Sequence, residues 1–415
     1  MSSQAAIAAV VFAGTYLVIG LQGLPRLRIG RPAGALLGAV AMVACGVLDF
    51  GAAKAAIDLD TILFLLGMMI VLGYLELSGF FEVVERWILG RAGSARGLLW
   101  LVVGSSGVLS ALFMNDTVCL MLTPIVVRVT RRLELPVAPY LIALATAANI
   151  GSTATIIGNP QNALIAVRSG IGFLPFLGAL AVPAAVGLLI DGAILTAIYR
   201  RSISAEPLVV PPPREQAHPA MPTLVTSLAC GCGLVVALML GAHPATAAVG
   251  AGAVMILIGP ARSKAALQQV DWGLLLFFGG LFVVMRGVEV AGLAGILVHQ
   301  VSGPLDTGLS SVVLGRLAVA VTLLSQAVSN VPAVMLFLPS MQAVPAAAAE
   351  PLWMALAAFA TLAGNLTIIG SAANVIVFES AKRDGVEVGF LEYLRVGLPV
   401  TVLTLIVAVG WLLIR

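Results

Sequence analysis

Charged residues are scarce in this sequence. Asp, Glu, Lys and Arg make up 10% of its 415 residues, whereas a soluble protein carries about 25%. A chain folded in water needs a polar surface, and 22 Lys and Arg with 19 Asp and Glu cannot cover a protein of this length. This composition excludes a soluble enzyme. Since 60% of the residues are hydrophobic and one membrane span takes about 20 residues, the length predicts about ten to twelve transmembrane helices.

Histidine and cysteine are also few. The three histidines, His218, His243 and His299, are scattered, and the four cysteines lie in apolar sequence without metal-ligand spacing. The sequence has no phosphate-binding loop, and its isolated carboxylates do not form the paired set that an intramembrane hydrolase needs. We therefore predict no catalytic residues, no metal and no cofactor apart from a coupling ion, H⁺ or Na⁺. The net charge of +3 is spread over short loops and gives no reason to expect nucleic-acid binding.

Glycine and proline, in contrast, are abundant, with 44 and 22 residues. Inside membrane helices these residues allow close packing, kinks and interruptions of the helix. A bundle that served only as an anchor would not need so many. The composition therefore favours an all-α polytopic membrane protein with broken helices.

A polar, Pro-rich segment at 200–222 divides the chain into two halves of similar length. It predicts a linker outside the membrane between a first transmembrane repeat, 1–199, and a second, 223–415. The basic residues Arg200, Arg201 and Arg214 favour a cytoplasmic linker by the positive-inside rule, although Arg26, Arg28 and Arg31 compete for the same side.

The two halves resemble each other. Asn115 and Pro124 have the same spacing as Asn330 and Pro339, and an aspartate precedes the third span of each half, at Asp60 and Asp271. The sequence Thr-Ile-Ile-Gly occurs at 155–158 and again at 367–370, followed each time by an asparagine, Asn162 or Asn374. Such repeats are typical of secondary transporters, whose substrate site lies at the repeat interface on helices that break there.

Four polar segments, at 114–117, 149–162, 329–332 and 364–374, interrupt the apolar sequence in equivalent positions. Amides and hydroxyls are costly in a membrane unless they are paired, so these segments indicate helix ends in a polar cavity. The alternative is that they only join helices to each other. As substrate-binding residues we predict Asn115, Thr117, Asn159, Asn162, Ser329, Asn330 and Asn374. As ion-coupling residues we predict Asp116, Asn115, Gly151, Ser152, Thr155, Asn365 and Thr367.

Two aspartates lie within apolar sequence. Asp116 follows directly on Asn115, and a carboxylate at membrane depth is by default a candidate functional residue, here for proton or cation coupling. The alternative is a carboxylate in water at a hairpin turn. Asp191 lies within 184–198 and has no polar segment beside it, so pairing with an arginine for helix packing is at least as good an interpretation as a transport role.

The segments 77–82 and 111–127 resemble the arsenite efflux permease family. The segment 148–162, with its Gly-Asn-Pro-Gln-Asn sequence, is similar to the wider ion transporter superfamily, which includes divalent anion/sodium symporters and sodium/proton antiporters. This resemblance implies two inverted repeats, a re-entrant hairpin and a broken helix in each, a scaffold that forms a homodimer, and a transport domain that moves as a unit.

The sodium-coupled carboxylate branch of the superfamily carries Ser-Asn-Thr at each hairpin tip. Here the tips are Asn115-Asp116-Thr117 and Ser329-Asn330-Val331, so both depart from that pattern. The missing second threonine and the added aspartate favour proton or single-cation coupling and the arsenite-permease side of the superfamily.

Arsenite or antimonite efflux in exchange for protons is therefore the leading hypothesis, in a bacterial inner membrane and with an associated ATPase as an optional partner. A neutral oxyacid needs hydroxyl and amide partners more than arginines, and Cys119 is a candidate thiol ligand for arsenic or simply a packing residue. The alternatives are a sodium-coupled dicarboxylate or anion symporter, a sodium/proton antiporter and, from another class, an ion channel.

Overall fold

The computed structural model describes residues 3–20, 30–208, 219–303 and 309–415. These residues form α-helices and one 3₁₀ helix, without a β-strand. The helices of the first half are α1 (Ser3–Gly20), α2 (Arg31–Ala44), α3 (Phe50–Ala56), α4 (Leu59–Leu77), α5 (Phe80–Arg91), α6 (Ala95–Leu112), α7 (Asn115–Arg132), α8 (Val137–Ser152), α9 (Pro160–Ser169) and α10 (Phe173–Ile198).

The helices of the second half follow the same order of long and short elements. They are α11 (Met221–Met239), α12 (Pro244–Ile258), α13 (Ser263–Gln268), α14 (Trp272–Val290), α15 (Leu293–Ser302), α16 (Ser311–Val328), α17 (Asn330–Gln342), α18 (Ala346–Ala363), α19 (Ala372–Arg383) and α20 (Phe390–Ile414), with the 3₁₀ helix Ile368–Gly370 between α18 and α19. Arg26, Arg28, His218 and the proline cluster at 211–213 lie outside the described residues, so the division at 200–222 stays a prediction.

The prediction of an all-α membrane protein is confirmed. Within the described residues, seven helices are long and apolar enough to cross a membrane, namely α4, α6, α10, α11, α14, α16 and α20. The apolar parts of α1, α2, α8, α12 and α18 are shorter, at 10–17 residues. Many large hydrophobic side chains, such as Leu189 and Leu257, are exposed on the protein surface, as expected where lipid is the solvent.

Glycines allow close helix contacts in equivalent places in the two halves. Helix α4 packs against α12, and α14 packs against α2. A Cβ at Gly67 in α4 would collide with the backbone of Ala248 in α12, and a Cβ at Gly280 in α14 would collide with the backbone of Ala35 in α2. Small residues at both contacts let the helix backbones approach closely, as is usual in membrane bundles.

Each half contains a helical hairpin and an interrupted helix. The hairpins are α6–α7 and α16–α17, and their second helices begin at Asn115 and Asn330. The interrupted helices are α8–α9, broken over 153–159, and α18–α19, broken over 364–371. The first break ends where Pro160 occupies the first turn of α9 and the side chain of Asn159 accepts a hydrogen bond from the Asn162 N–H at 2.8 Å, which is a regular helix start.

The predicted equivalence of Asp60 and Asp271 before the third spans is corrected by the structure. Asp58, not Asp60, is the structural equivalent of Asp271, because both cap a helix by accepting a backbone N–H, from Thr61 at 2.9 Å and from Leu274 at 2.9 Å. Asp60 lies inside the first turn of α4 with a half-exposed side chain. The helix start could not be located to within two residues from sequence, since both aspartates suit an N-terminal turn.

Candidate functional site

A cavity of about 610 Å³ separates the two hairpin tips from the ends of α2, α4 and α14. Five of the predicted site residues line it: Asn115, Asp116, Thr117, Ser329 and Asn330. The other predicted residues, Asn159, Asn162, Asn374, Gly151, Ser152, Thr155, Asn365 and Thr367, are not among the lining residues. The structure therefore brings the tips together at one cavity, which Ile369 and Ser371 of the second break also line, and places the predicted residues of the breaks behind its wall.

The two tip asparagines are buried, and each has an amide oxygen without a hydrogen-bond partner in the protein. Asn115 is 2% exposed and Asn330 is 5% exposed, and the Oδ1 atom of each is unpaired. Asn115 is held by its backbone N–H, which donates to the Gly158 carbonyl at 2.8 Å, and by its Nδ2, which donates to Asn149 Oδ1 at 3.1 Å. A buried, unpaired acceptor costs about 1–3 kcal/mol, so two on equivalent residues of the cavity wall make Asn115 and Asn330 the candidate ligand residues.

The second tip is also strained. Ser329 has φ 72° and ψ 165°, a region of backbone conformation that only glycine adopts readily. The first tip has ordinary backbone angles at Met114. Strain of this kind, about 1–3 kcal/mol, persists where the surrounding structure enforces it and is concentrated at functional sites.

Asn162 and Asn374 stabilise the unwound backbone of the breaks. Asn162 Nδ2 donates to the carbonyls of Ser152 and Thr155, both at 3.0 Å. Asn374 Nδ2 donates to the carbonyls of Gly364 and Thr367, at 2.8 and 3.1 Å. These carbonyls have lost their helical partners because the helix is interrupted, and buried backbone groups need a replacement.

Asn149, which had no predicted role, connects the two halves. Its Nδ2 donates to Asn365 Oδ1 and Asn374 Oδ1, both at 2.9 Å, and its Oδ1 accepts from Asn115 Nδ2 and Ser371 Oγ. Thr361 is its counterpart in α18 and makes the reciprocal contacts to Asn159 and Asn162 in the first break. The polar segments therefore join the halves as well as form the cavity, and the two interpretations of them are not exclusive.

The cavity wall also carries charged residues for which the sequence predicted no role at the site. These are Arg31, Glu76, Asp271 and Glu379, which join Asp116. Arg31 interacts electrostatically with Asp116 and Glu379. The cavity wall therefore carries one arginine and four carboxylates. No motif marks these residues, because each stands near an end of a different helix.

Glutamine side chains complete the polar wall. Gln161 Nε2 donates to Thr361 Oγ1 at 3.3 Å, and Gln326 Nε2 donates to the Ala363 carbonyl at 2.9 Å. Gln326 Oε1 also accepts from Thr367 Oγ1 at 2.7 Å. Predicted residues behind the wall, such as Thr367, thus act on the lining through a hydrogen bond.

Asp116 occupies the first turn of α7, half-buried, with its side chain at the cavity. The N-terminal end of a helix favours a negative charge, and the cavity gives the carboxylate access to a ligand or proton. Cys119, one turn further along, is completely buried and does not line the cavity. The geometry therefore favours packing over arsenic ligation for Cys119.

Asp191 is completely buried in α10, and Thr146 Oγ1 lies 3.0 Å from its Oδ2. No lysine, arginine or histidine in the described ranges pairs with it. The interpretation of Asp191 as one half of an arginine pair is therefore wrong for the described residues. A different buried carboxylate, Glu85, does form an ion pair, since Arg128 Nη2 lies 2.7 Å from its Oε2.

Comparison with known proteins gives consistent matches along the whole chain. The sequence profile of the family described as citrate transporter (CitMHS) matches residues 15–359. The silicon efflux transporter LSI3 of Oryza sativa subsp. japonica is 32% identical, with 97% of this chain and 96% of that protein covered. A candidate transporter named arsB from Dictyostelium discoideum is 25% identical, with 92% and 87% covered.

The fold is also similar to that of a solved transporter structure. The crystal structure of the Alcanivorax borkumensis YdaH transporter, described as having an unusual topology, matches with a TM-score of 0.55 and 16% identity over 98% of this chain and 97% of that one. At this identity the match concerns the arrangement of helices alone.

Proposed function

The chain belongs to the citrate transporter family (CitMHS) and is an integral membrane secondary transporter, and we propose that it exports a small neutral oxyacid, arsenous acid or a relative of it, in exchange for protons. We place it in a bacterial inner membrane. The homodimer that the superfamily resemblance implies and the optional associated ATPase remain predictions.

The pair of unpaired amide oxygens at the hairpin tips carries this proposal. An oxyacid such as trihydroxyarsenic has O–H groups that can donate to Asn115 Oδ1 and Asn330 Oδ1. Thr117 and Ser329 at the same cavity can accept or donate as required. The hydroxyl-rich surface of the substrate would thereby satisfy acceptors that the protein itself leaves open.

The charge of the cavity argues against a citrate-like trianion or a dicarboxylate on its own. Four carboxylates and one guanidinium line the cavity, whereas carboxylate substrates are usually held by several charge-assisted donors such as bidentate arginines. A neutral oxyacid avoids the repulsion. The name of the rice relative, a silicon efflux transporter, supports the same substrate class, because silicic acid is also a small neutral molecule that presents hydroxyl groups.

Asp116 is the coupling residue in this proposal. It stands next to Asn115 and shares the cavity with Arg31, so a proton on Asp116 changes the charge beside the bound substrate. Val331 occupies the equivalent position at the second tip, so only the first hairpin can carry this proton. If protonation of Asp116 and binding of the substrate at the first tip disfavour each other, the protein exchanges protons for substrate.

One observation favours a second candidate, a sodium-coupled transporter. Amide oxygens and unwound backbone carbonyls are also the ligands that coordinate Na⁺ in broken-helix transporters, and the same Asn115 and Asn330 oxygens are available for it. In that case a carboxylate substrate could enter together with Na⁺, which would offset part of the negative charge of the cavity.

A flux panel in proteoliposomes distinguishes these functions. Purified protein is reconstituted, and arsenite, antimonite, silicic acid, citrate, succinate and Na⁺ fluxes are measured under an imposed pH or Na⁺ gradient. We expect saturable, pH-driven flux of the oxyacids without a Na⁺ requirement, abolished in Asn330→Ala and uncoupled from the pH gradient in Asp116→Asn. The exposed Asp60→Asn is the matched control. Na⁺-driven citrate or succinate flux with no oxyacid flux would contradict the proposal. Single-channel currents would show that the protein is a channel and not a carrier.

A further inference from the structure

Asp191 is the one buried carboxylate in the described residues that neither the cavity nor an ion pair accounts for. It lies in the middle of the second half of α10 with no exposed surface, and its Oδ1 has no hydrogen-bond partner. An ionised carboxylate without a counter-ion is strongly disfavoured in such a place. Its counterpart helix α20 carries no acidic residue over 393–414, so the repeat symmetry does not explain its presence.

The surroundings of Asp191 contain few ionisable groups. Helix α10 packs against α6, α8, α11, α18 and α20, and Asp191 is the only charged residue of α10 itself. Tyr393 on α20 is the group that interacts electrostatically with it. The remaining charged or titratable groups on the packed helices are Arg96, Tyr140, Cys230, Cys232, Glu350, Glu392 and Arg395.

The hydroxyl of Thr146 has more acceptors than it can serve. Thr146 Oγ1 lies 2.8 Å from the Ile142 carbonyl, 3.4 Å from the Ala143 carbonyl and 3.0 Å from Asp191 Oδ2. It has a single proton. If Thr146 donates to the Ile142 carbonyl, the contact to Asp191 is a hydrogen bond only when the aspartic acid is protonated and donates. If Asp191 is ionised, Thr146 must donate to it and release the Ile142 carbonyl.

The backbone of Thr146 is connected to the cavity by a series of hydrogen bonds that begins at its carbonyl. The Thr146 carbonyl accepts from Asn365 Nδ2 at 3.3 Å, and Asn365 Oδ1 accepts from Asn149 Nδ2 at 2.9 Å. Asn149 Oδ1 then accepts from Asn115 Nδ2 at 3.1 Å, and Asn115 lines the cavity. The series crosses from the first half to the second and back.

We propose that Asp191 and Thr146 form a second proton-binding site of this protein, separate from the cavity and linked to it through Asn365, Asn149 and Asn115. A threonine that donates to the carbonyl four residues earlier bends its helix slightly. Release of that bond on deprotonation of Asp191 therefore changes the shape of α8, which carries Asn149 and leads into the first break. The proton is taken up and released at the Asp191 carboxyl group, and no covalent bond other than its O–H bond is formed or broken.

The proton site can be tested without any substrate. The C=O stretch of a protonated carboxylic acid is measured by pH-difference infrared spectroscopy of the reconstituted protein. We expect a titrating band in the wild type and in Asp116→Asn, lost in Asp191→Asn and shifted in frequency in Thr146→Val, which removes the hydrogen bond. Asp191→Asn keeps a donor for Thr146 Oγ1 and should fold, and Asp60→Asn serves as the exposed control. A spectrum unchanged in Asp191→Asn would overturn the proposal.

The coupling of this site to transport rests on the proposed function and has its own readout. In arsenite-loaded proteoliposomes, we expect Asp191→Asn to keep arsenite self-exchange and to lose accumulation driven by a pH gradient. Full pH-driven accumulation in this variant would overturn the coupling role. If the wild type moves no arsenite, the proposed function fails, while the infrared result on Asp191 stands independently.

Discussion

Arg168 Nε lies 2.7 Å from Asp58 Oδ2 and so joins the end of α9 to the start of α4. The side chain of Asp58 is 7% exposed. Its counterpart Asp271 caps α14 in the same way but has no ion pair with another described residue and lines the cavity. The two equivalent helix starts therefore differ, since Asp58 forms an ion pair and Asp271 borders the cavity.

Removal of the Asp58 charge should destabilise the contact between the end of α9 and the start of α4. Asp58→Asn keeps an oxygen that can cap α4 but leaves Arg168 without its partner, which we expect to cost about 1–3 kcal/mol of stability. Thermal unfolding in detergent measures it. The exposed pair of Lys382 and Glu387 supplies the control, since Lys382→Gln should change stability by less than about 1 kcal/mol. Equal effects of the two substitutions would show that the Asp58 pair has no special role.

The asparagines of the breaks and of the tips should respond differently to truncation. Asn374→Ala removes two bonds to unwound carbonyls and should lower stability by about 2–4 kcal/mol. Asn330→Ala removes an unpaired oxygen and should change stability little while it abolishes transport. Unfolding and flux are measured on both variants. Loss of stability in Asn330→Ala as large as in Asn374→Ala would refute the distinction.

Ser329→Gly should make the second tip more stable. Glycine adopts the backbone angles found at Ser329 without strain, so we expect a gain of about 1 kcal/mol. The hydroxyl at the cavity is lost, and the affinity for the proposed oxyacid substrate should fall. Thermal unfolding gives the first quantity and the Michaelis constant for flux gives the second. Ser310→Gly, which removes an ordinary helix cap, is the control and should be destabilising.

Gly151→Ala should disrupt the contact of α8 with α6. A Cβ at Gly151 would overlap the backbone of Gly107, whereas a Cβ at Gly178 in α10 would meet nothing. We therefore expect misfolding or a large loss of stability for Gly151→Ala and no loss for Gly178→Ala, which gains about 0.5–1 kcal/mol of helix propensity. Yield after size-exclusion chromatography and thermal unfolding measure both. Normal folding of Gly151→Ala would mean that α6 and α8 can separate without cost.

If the protein transports arsenite as proposed, Cys119→Ala should retain that transport. Cys119 is buried and is not among the residues that line the cavity, so loss of its thiol removes packing volume and no ligand. Flux under a pH gradient is compared with that of Cys232→Ala, which removes an exposed thiol. Selective loss of arsenite flux in Cys119→Ala, at normal folding, would make the thiol an arsenic ligand after all.

The parts of the site that were predictable are those with a local signature. Asn115 and Asn330 stand at interruptions of apolar sequence, where a polar residue is costly unless a cavity receives it. The duplicated Thr-Ile-Ile-Gly segments likewise pointed to the breaks around Asn162 and Asn374. That these asparagines hold backbone carbonyls and do not face the cavity depends on side-chain direction, which the spacing does not determine.

The charged part of the cavity was not predictable. Arg31 begins α2 beside Pro32 and has the same local appearance as an arginine of a membrane-facing loop. Glu76 and Glu379 stand near the ends of helices that are far apart in sequence. Only the packing of α2 against α14 and of α7 against α19 brings these ends to one cavity.

The sequence by itself determined the lipid environment, the helical class, the duplication and the positions of the hairpin tips, because each of these follows from local hydrophobicity or from repetition. The tertiary structure decided which polar groups meet. Asn149 reaches Asn365 and Asn374 across more than 200 residues of chain, and Asp191 reaches Asn115 only through Thr146 and the second half. Contacts of this kind arise when two breaks cross. The periodicity of one chain segment cannot predict which residues of a distant segment it will contact.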